Sequence, residues 1–160
     1  MYPSAKYAPF GDSALIVEFG NIISPEVNRR VHALHNLVSN AKILGVGECV
    51  PAYRSLLITY DPIRLDYDRL VFDIKNLEKK LETFTSRIGE RKAVIPVAYG
   101  GNFGPDLLKV SQYHNLKESE VIKIHAEHDY MVYMIGFIAG FPYLGELPEE
   151  IAAPRLESPR

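Results

Sequence analysis

His32 and His35 stand three apart, a spacing that sets two imidazoles on one face of a helix and could offer two ligands to a metal ion. No cluster of carboxylates and thiols accompanies them, and they fit no zinc-binding spacing, so they read as flank or surface residues. No metal site is expected. His125 and His128 bracket the end of a short helical pattern, where a cation suits the helix dipole. Cys49 is the single cysteine. Its neighbour Glu48 would raise a thiol pKa, and no histidine lies close in sequence, so the requirements of a nucleophile are unmet. It reads as a buried structural residue. No G-x-S-x-G elbow occurs to activate a serine, and the catalytic residues stay unassigned.

Two glycine-rich loops carry the remaining signals. The run from Gly100 to Gly104 could turn backbone N–H groups toward an anion at a helix start. It lacks the Gly-Lys-Ser/Thr ending of a P-loop, and Asp106 would repel an anion, so a tight turn with positive φ is the plainer reading. In the second loop Phe137, Phe141 and Tyr143 alternate with Gly136, Gly140 and Gly145. Two readings fit it equally: a pocket wall with flat apolar faces and open amides, or a packed turn. Arg155 and Arg160 follow, with guanidinium forks suited to a carboxylate or phosphate, or to a solvated surface.

The elements that must position these residues begin with a β-rich run, Ala14 to Phe19. Ser24 is an N-cap with Pro25 behind it, and Val27, Val31, Leu34 and Leu37 form one helical face. Strands are expected over Val46–Ala52 and Ser55–Tyr60, the first at an edge or with a bulge because of Pro51. Asp66 caps a helix whose inward face is Leu70, Ile74, Leu77 and Leu81. Lys92–Val97 completes a β-α-β-β-α-β order, the ferredoxin-like arrangement. Beyond Tyr99 the pattern changes to two short helices, Leu107–Tyr113 and Glu118–Ala126, a strand at Tyr130–Ile135, and loop to the end. That strand has no evident partner downstream, so the chain reads as truncated or as completed by another chain, with self-association or hetero-oligomerisation expected.

Composition narrows the classes. The 160 residues are 47% apolar and 24% charged, a folded-protein balance suited to one ordinary domain or two small ones. Eighteen basic against twenty acidic residues give a net charge of −2, which points to neither nucleic acid nor an anionic membrane. The start lacks the basic and apolar regions of a signal peptide, no apolar run is long enough to span a bilayer, and cysteine is scarce. A cytoplasmic setting is expected.

The run Ile95-Pro96-Val97-Ala98-Tyr99-Gly100-Gly101, followed by Phe103-Gly104-Pro105-Asp106-Leu107, resembles a signature of the KipI family. That family includes the PxpB subunit of 5-oxoprolinase, allophanate hydrolase subunit 1 and one half of the urea carboxylase carboxyltransferase domain (subdomains C and D). Further matches are Val121–His125, Tyr133–Phe137, Gly140–Gly145, Pro154–Leu156 and Ser158–Arg160, with Gly11–Leu15 and Pro51–Leu57 near the start. The sequence departs from the pattern at Asn102, at Ala139 where proline is usual and at Glu146 where glycine is usual.

The resemblance implies an α+β chain: a ferredoxin-like βαββαβ domain over residues 1–90, then part of a cyclophilin-like β-barrel over residues 91–160. It implies a subunit of an ATP-dependent 5-oxoprolinase, opening 5-oxo-L-proline to L-glutamate with a related partner subunit of the PxpC or KipA kind. ATP is the implied cofactor. Phe137, Gly140, Phe141, Tyr143, Arg155 and Arg160 would be the substrate-binding residues. The family's alternatives are inhibition of a sensor histidine kinase and the allophanate hydrolase or urea carboxylase role.

Overall fold

The computed structural model describes residues 2–81 and 91–158. These fall into two compact units. One comprises the described residues up to 81 together with Tyr133–Tyr143, and the other those from 91 to Val132 and from Leu144 onward.

The first unit contains β1 (Lys6–Pro9), β2 (Ala14–Glu18), α1 (Pro25–Ala41), β3 (Val46–Pro51), β4 (Ser55–Tyr60) and α2 (Tyr67–Glu78). Its strands form an antiparallel sheet in the order β1-β2-β4-β3. Alternation on β4 buries Leu56, Ile58 and Tyr60. Ser24 starts α1 as the sequence predicts, its Oγ accepting from the Val27 N–H at 3.2 Å, with Pro25 at the first position. The inward face of α1 is Val27, Val31, Leu34 and Val38; Leu37, assigned to that face from spacing, is half-buried on its flank. Asp66 caps α2 by accepting from the Asp68 and Arg69 N–H groups, and Leu70 and Ile74 are fully buried. Each such side chain contributes about 1.5–3 kcal/mol through burial.

The β-α-β-β-α order is present from Ala14 to Glu78, but the sixth element is not. Lys92–Val97, expected as a strand, is exposed and irregular. The edge beside β2 is held by β1, a strand that no sequence pattern marks. A short hairpin turn through Gly11 (φ +66°) brings β1 onto β2, with the Phe10 N–H donating to the Ala14 carbonyl, so loop closure costs little. Pro96 would in any case have removed one donor from a strand at 92–97. β1 is fastened from outside the sheet by Glu78 of α2. Its carboxylate accepts from the Ala5 N–H at 3.2 Å, the Tyr7 hydroxyl, and Arg30 Nη2 of α1 at 3.4 Å.

In the second unit, α3 (Leu107–His114) and α4 (Glu118–Glu127) are joined through Asn115 in the left-handed region at φ +54°. The 3-10 turn Glu149–Ile151 packs on both helices, with Val121 and Ile151 buried. His114 Nε2 donates to the Ala152 carbonyl at 3.0 Å.

The expected strand at Tyr130–Ile135 is β5 (Val132–Ile135), and it does have a downstream partner, β6 (Pro142–Leu144). Three residues led by a proline give too short a pattern to be read as a strand. Among the described residues no helix is long and apolar enough to cross a membrane.

Two tests follow from this packing. Gly45 has φ +91°, and a Cβ there would sit 2.8 Å from Leu65 Cβ; Gly11, also at positive φ, has open space around it. Gly45→Ala should therefore lower stability well beyond the roughly 1 kcal/mol of left-handed backbone strain, and Gly11→Ala by about that amount, in denaturant titrations of the two variants. Burial first and the Glu78 hydrogen bond second hold the Tyr7 phenol well above its ordinary range. Its contribution is complete below about pH 10, the unfolded value, and is lost as pH rises above it. Tyr7→Phe should cost about 1.5–3 kcal/mol at neutral pH and flatten the alkaline loss of stability, measured by urea unfolding between pH 8 and 11.

Candidate functional site

Within the first unit, the segment after β5 folds back as a loop with its aromatic residues in a row. The Gly136 N–H donates to the Phe141 carbonyl at 3.0 Å, and the Phe141 N–H to the Ile138 carbonyl at 3.1 Å. Gly140 has φ +79°, as its place in the turn requires. Phe137 also sits in the left-handed region at φ +66°, a conformation costly for an aromatic residue, and is 84% exposed. A Cβ at Gly136 would come within 3.3 Å of the Met134 methyl and make ordinary contact, 3.6 Å, with the Tyr143 ring.

The rings follow one another edge to face. Phe137 and Phe141 are 5.9 Å apart between centroids, Phe141 and Tyr143 5.3 Å, and Tyr143 and Tyr53 6.1 Å. Tyr53 then lies 5.3 Å from Tyr133. The first three pairs are edge-on, a geometry aromatic quadrupoles favour, and the Tyr53–Tyr133 pair is tilted at 39°. The row runs from an exposed tip at Phe137 to the fully buried ring of Tyr133. Within the loop, Phe137 and Phe141 are exposed, and Tyr143 is half-buried against Tyr53.

The buried end rests on α1. Asn28 is fully buried, and its Nδ2 lies 3.1 Å from the Ala52 and Tyr53 carbonyls and 3.2 Å from the Tyr133 carbonyl. One turn further along, His32 Nε2 donates to the same Tyr133 carbonyl at 3.0 Å. The β3–β4 turn that carries Tyr53 is held from the other side by Arg54, whose Nη1 reaches Glu18 at 3.0 Å and the Gly20 carbonyl at 2.7 Å. Asn28, Tyr53 and Tyr133 were not singled out as site residues by the sequence, and His32 was weighed there only as a metal ligand. The signal available was Asn28 and His32 at i and i+4, a polar pair on a helix whose next row is apolar.

The other sequence candidates lie elsewhere. Arg155 is exposed in the second unit, and Arg160 is outside the described residues. In the Gly100–Gly104 loop, Gly100 and Gly101 have φ +75° and +55°, and the N–H groups of Phe103 and Gly104 both donate to the Gly100 carbonyl. Those amides are engaged within the turn, which agrees with the plainer reading. Also in the second unit, the Tyr99 hydroxyl is hydrogen-bonded to His125 Nδ1 at 2.6 Å, and Tyr130 packs its ring on His125 and His128. Burial, then the neighbouring Tyr99, pushes the Tyr130 phenol up. His125 thus stands in the last turn of α4, as the sequence reading has it, and is hydrogen-bonded to Tyr99 as well. Among the described residues no three His, Cys, Asp or Glu side chains come together as a metal donor set.

Cys49 is half-buried on β3, beside a cavity of about 170 Å³ lined also by His35, Ser39 and Lys42. Burial is the larger cause and Glu48 the smaller in holding its thiol above the ordinary range.

Residues 5–160 match the family of the carboxyltransferase domain, subdomain C and D, and the chain belongs to that family. It is similar to a 5-oxoprolinase subunit of Bacillus subtilis (strain 168), with 40% identity covering 94% of this chain and 66% of that protein. It is likewise similar to the corresponding 5-oxoprolinase subunit of Haemophilus influenzae, with 35% identity over 95% of this chain and 69% of that protein. The chain thus spans about two thirds of the length of these relatives. Among solved structures, TTHA0988 superposes with a TM-score of 0.75 at 36% identity, covering 92% of this chain and 28% of that one. The urea carboxylase of Kluyveromyces lactis shares the fold, with a TM-score of 0.61 at 16% identity over 84% of this chain and 14% of that one.

A thiol held up in this way has little thiolate at neutral pH. Cys49 should react with a disulfide reagent severalfold more slowly than free cysteine at pH 8, and its rate should keep rising with pH after free cysteine has levelled off. A rate matching or exceeding free cysteine would contradict the electrostatics described for β3.

Proposed function

We propose that this chain is part of a subunit of an ATP-dependent 5-oxoprolinase, which opens 5-oxo-L-proline to L-glutamate together with a carboxyltransferase-type partner subunit of the PxpC or KipA kind. The observation that carries this is the 40% identity to a 5-oxoprolinase subunit across nearly the whole chain. In this reading the first domain is ferredoxin-like to about residue 90, the rest is part of a cyclophilin-like barrel, and the setting is the cytoplasm.

A lactam is a resonance-stabilised amide, and its opening is uphill unless coupled to another reaction. ATP would supply the coupling by phosphorylating the lactam oxygen, with release of ADP and then of phosphate as the ring C–N bond breaks, and donors aimed at the developing anion would lower the barrier to attack by water. The chain's contribution is to bind and orient. The exposed half of the aromatic row, Phe137, Phe141 and Tyr143 with Gly140 at the turn, supplies flat apolar faces for a small ring. The substrate carboxylate is assigned to the guanidinium of Arg155 or Arg160 on chemistry alone, since a planar fork matches it in two hydrogen bonds.

The test is co-purification of the chain with the partner subunit, followed by measurement of 5-oxoproline-dependent ATP hydrolysis. Stimulation by 5-oxoproline is the expected result; a stable complex with none overturns the proposal. Arg155→Lys, which keeps the charge and loses the fork, should reduce turnover by about tenfold to a hundredfold, the loss of one charge-assisted hydrogen bond, with unchanged melting. Equal turnover would leave Arg155 a surface residue.

A further inference from the structure

We infer that Asn28 is the positioning residue of the aromatic row: its carboxamide, seconded by His32, sets the place of Tyr53 and Tyr133 and holds the 133–143 hairpin on the first unit. The inference stands on geometry alone and is independent of the 5-oxoprolinase reading.

Three carbonyls converge on one nitrogen. Ala52 and Tyr53 belong to the β3–β4 turn and Tyr133 to β5, about 80 positions further along the sequence, yet all lie 3.1–3.2 Å from Asn28 Nδ2. An amide NH₂ has two hydrogens, so at least one is shared. The arrangement also fixes the orientation of the carboxamide, because the oxygen could not be placed among three carbonyls. Tyr53 and Tyr133 are the residues whose rings meet at 5.3 Å. A displacement of this one nitrogen therefore moves both.

As a device for stability the residue is a poor choice. Asparagine is an unfavourable helix-interior residue, here within the first turns of α1. It is fully buried, and its Oδ1 is buried without a hydrogen-bond partner among the described residues. Leaving a buried acceptor unpaired is costly. An apolar side chain of the same size would avoid that cost but leave the Ala52, Tyr53 and Tyr133 carbonyls without this donor. What it could not do is hold two separate backbone segments at a defined distance. His32 adds a second donor to the Tyr133 carbonyl and none to the turn carbonyls, so the two residues have separable effects.

The test is amide hydrogen exchange followed by mass spectrometry on the whole chain. In Asn28→Leu, peptides covering 133–143 should exchange about tenfold faster, the scale of one lost hydrogen bond to a buried group. Peptides covering β2 should be unchanged. His32→Phe, which keeps the ring and removes the donor, should accelerate 133–143 and leave 52–54 alone, so it decides the matter should Asn28→Leu not fold. Asn28→Gln, with the same carboxamide one methylene longer, should restore protection of 133–143 in part. Unchanged exchange at 133–143 in both Asn28→Leu and His32→Phe, or equal acceleration across the entire first unit, would overturn the inference and make Asn28 an ordinary buried residue.

Discussion

Helix α1 must satisfy two neighbours at once, and the first unit depends on its doing so. One row of its surface, Val27, Val31, Leu34 and Val38, is apolar and faces the sheet. The adjacent row, Asn28 and His32, is polar and faces backbone carbonyls. Because the rows lie on one rigid cylinder, the rotation that suits the sheet also sets where the polar groups point. The Ser24 cap and Pro25 fix where that cylinder begins. A helix started one residue later would turn both rows by about 100°, the angle each residue takes in a helix of 3.6 residues per turn.

Elements that bury a regular face were legible in the sequence. Both helices of the first unit, with their caps Ser24 and Asp66, follow from spacing and N-cap chemistry. So do β2 and β4, whose alternation leaves one side buried. What was not legible lacks such a face. β1 is nearly all exposed and ends in Pro9, so no period marks it; it is a strand because a tight turn delivers it to an open edge. β6 is three residues led by Pro142. Lys92–Val97 shows the converse: a β-rich composition that remains exposed and irregular.

The candidate site was half visible for the same reason. Phe137, Phe141 and Tyr143 announce themselves by composition, being aromatic among glycines. Tyr53 and Tyr133, which continue their row, belong to segments about 80 residues apart and are brought together by carbonyls, which every residue carries and no sequence displays. Glu146 is instructive too. It stands where glycine is usual in the family it resembles, and it has φ +61°, so the residue accepts the backbone shape that glycine would adopt freely.

The assignment of Tyr133–Tyr143 to the first unit also has a kinetic side. Within that unit β1 pairs with β2 and β3 with β4 across short turns, and the β2–β4 pairing spans only α1 and β3. All of this can form as soon as the first 80 or so residues have left the ribosome, since nearby segments close fastest. The hairpin cannot, because its residues have not yet been made. During synthesis the Asn28 amide therefore meets only the Ala52 and Tyr53 carbonyls, the His32 imidazole waits hydrated on a helix that has otherwise docked, and the nascent unit carries a wet flank. The arrival of residue 133 is the event that dries it.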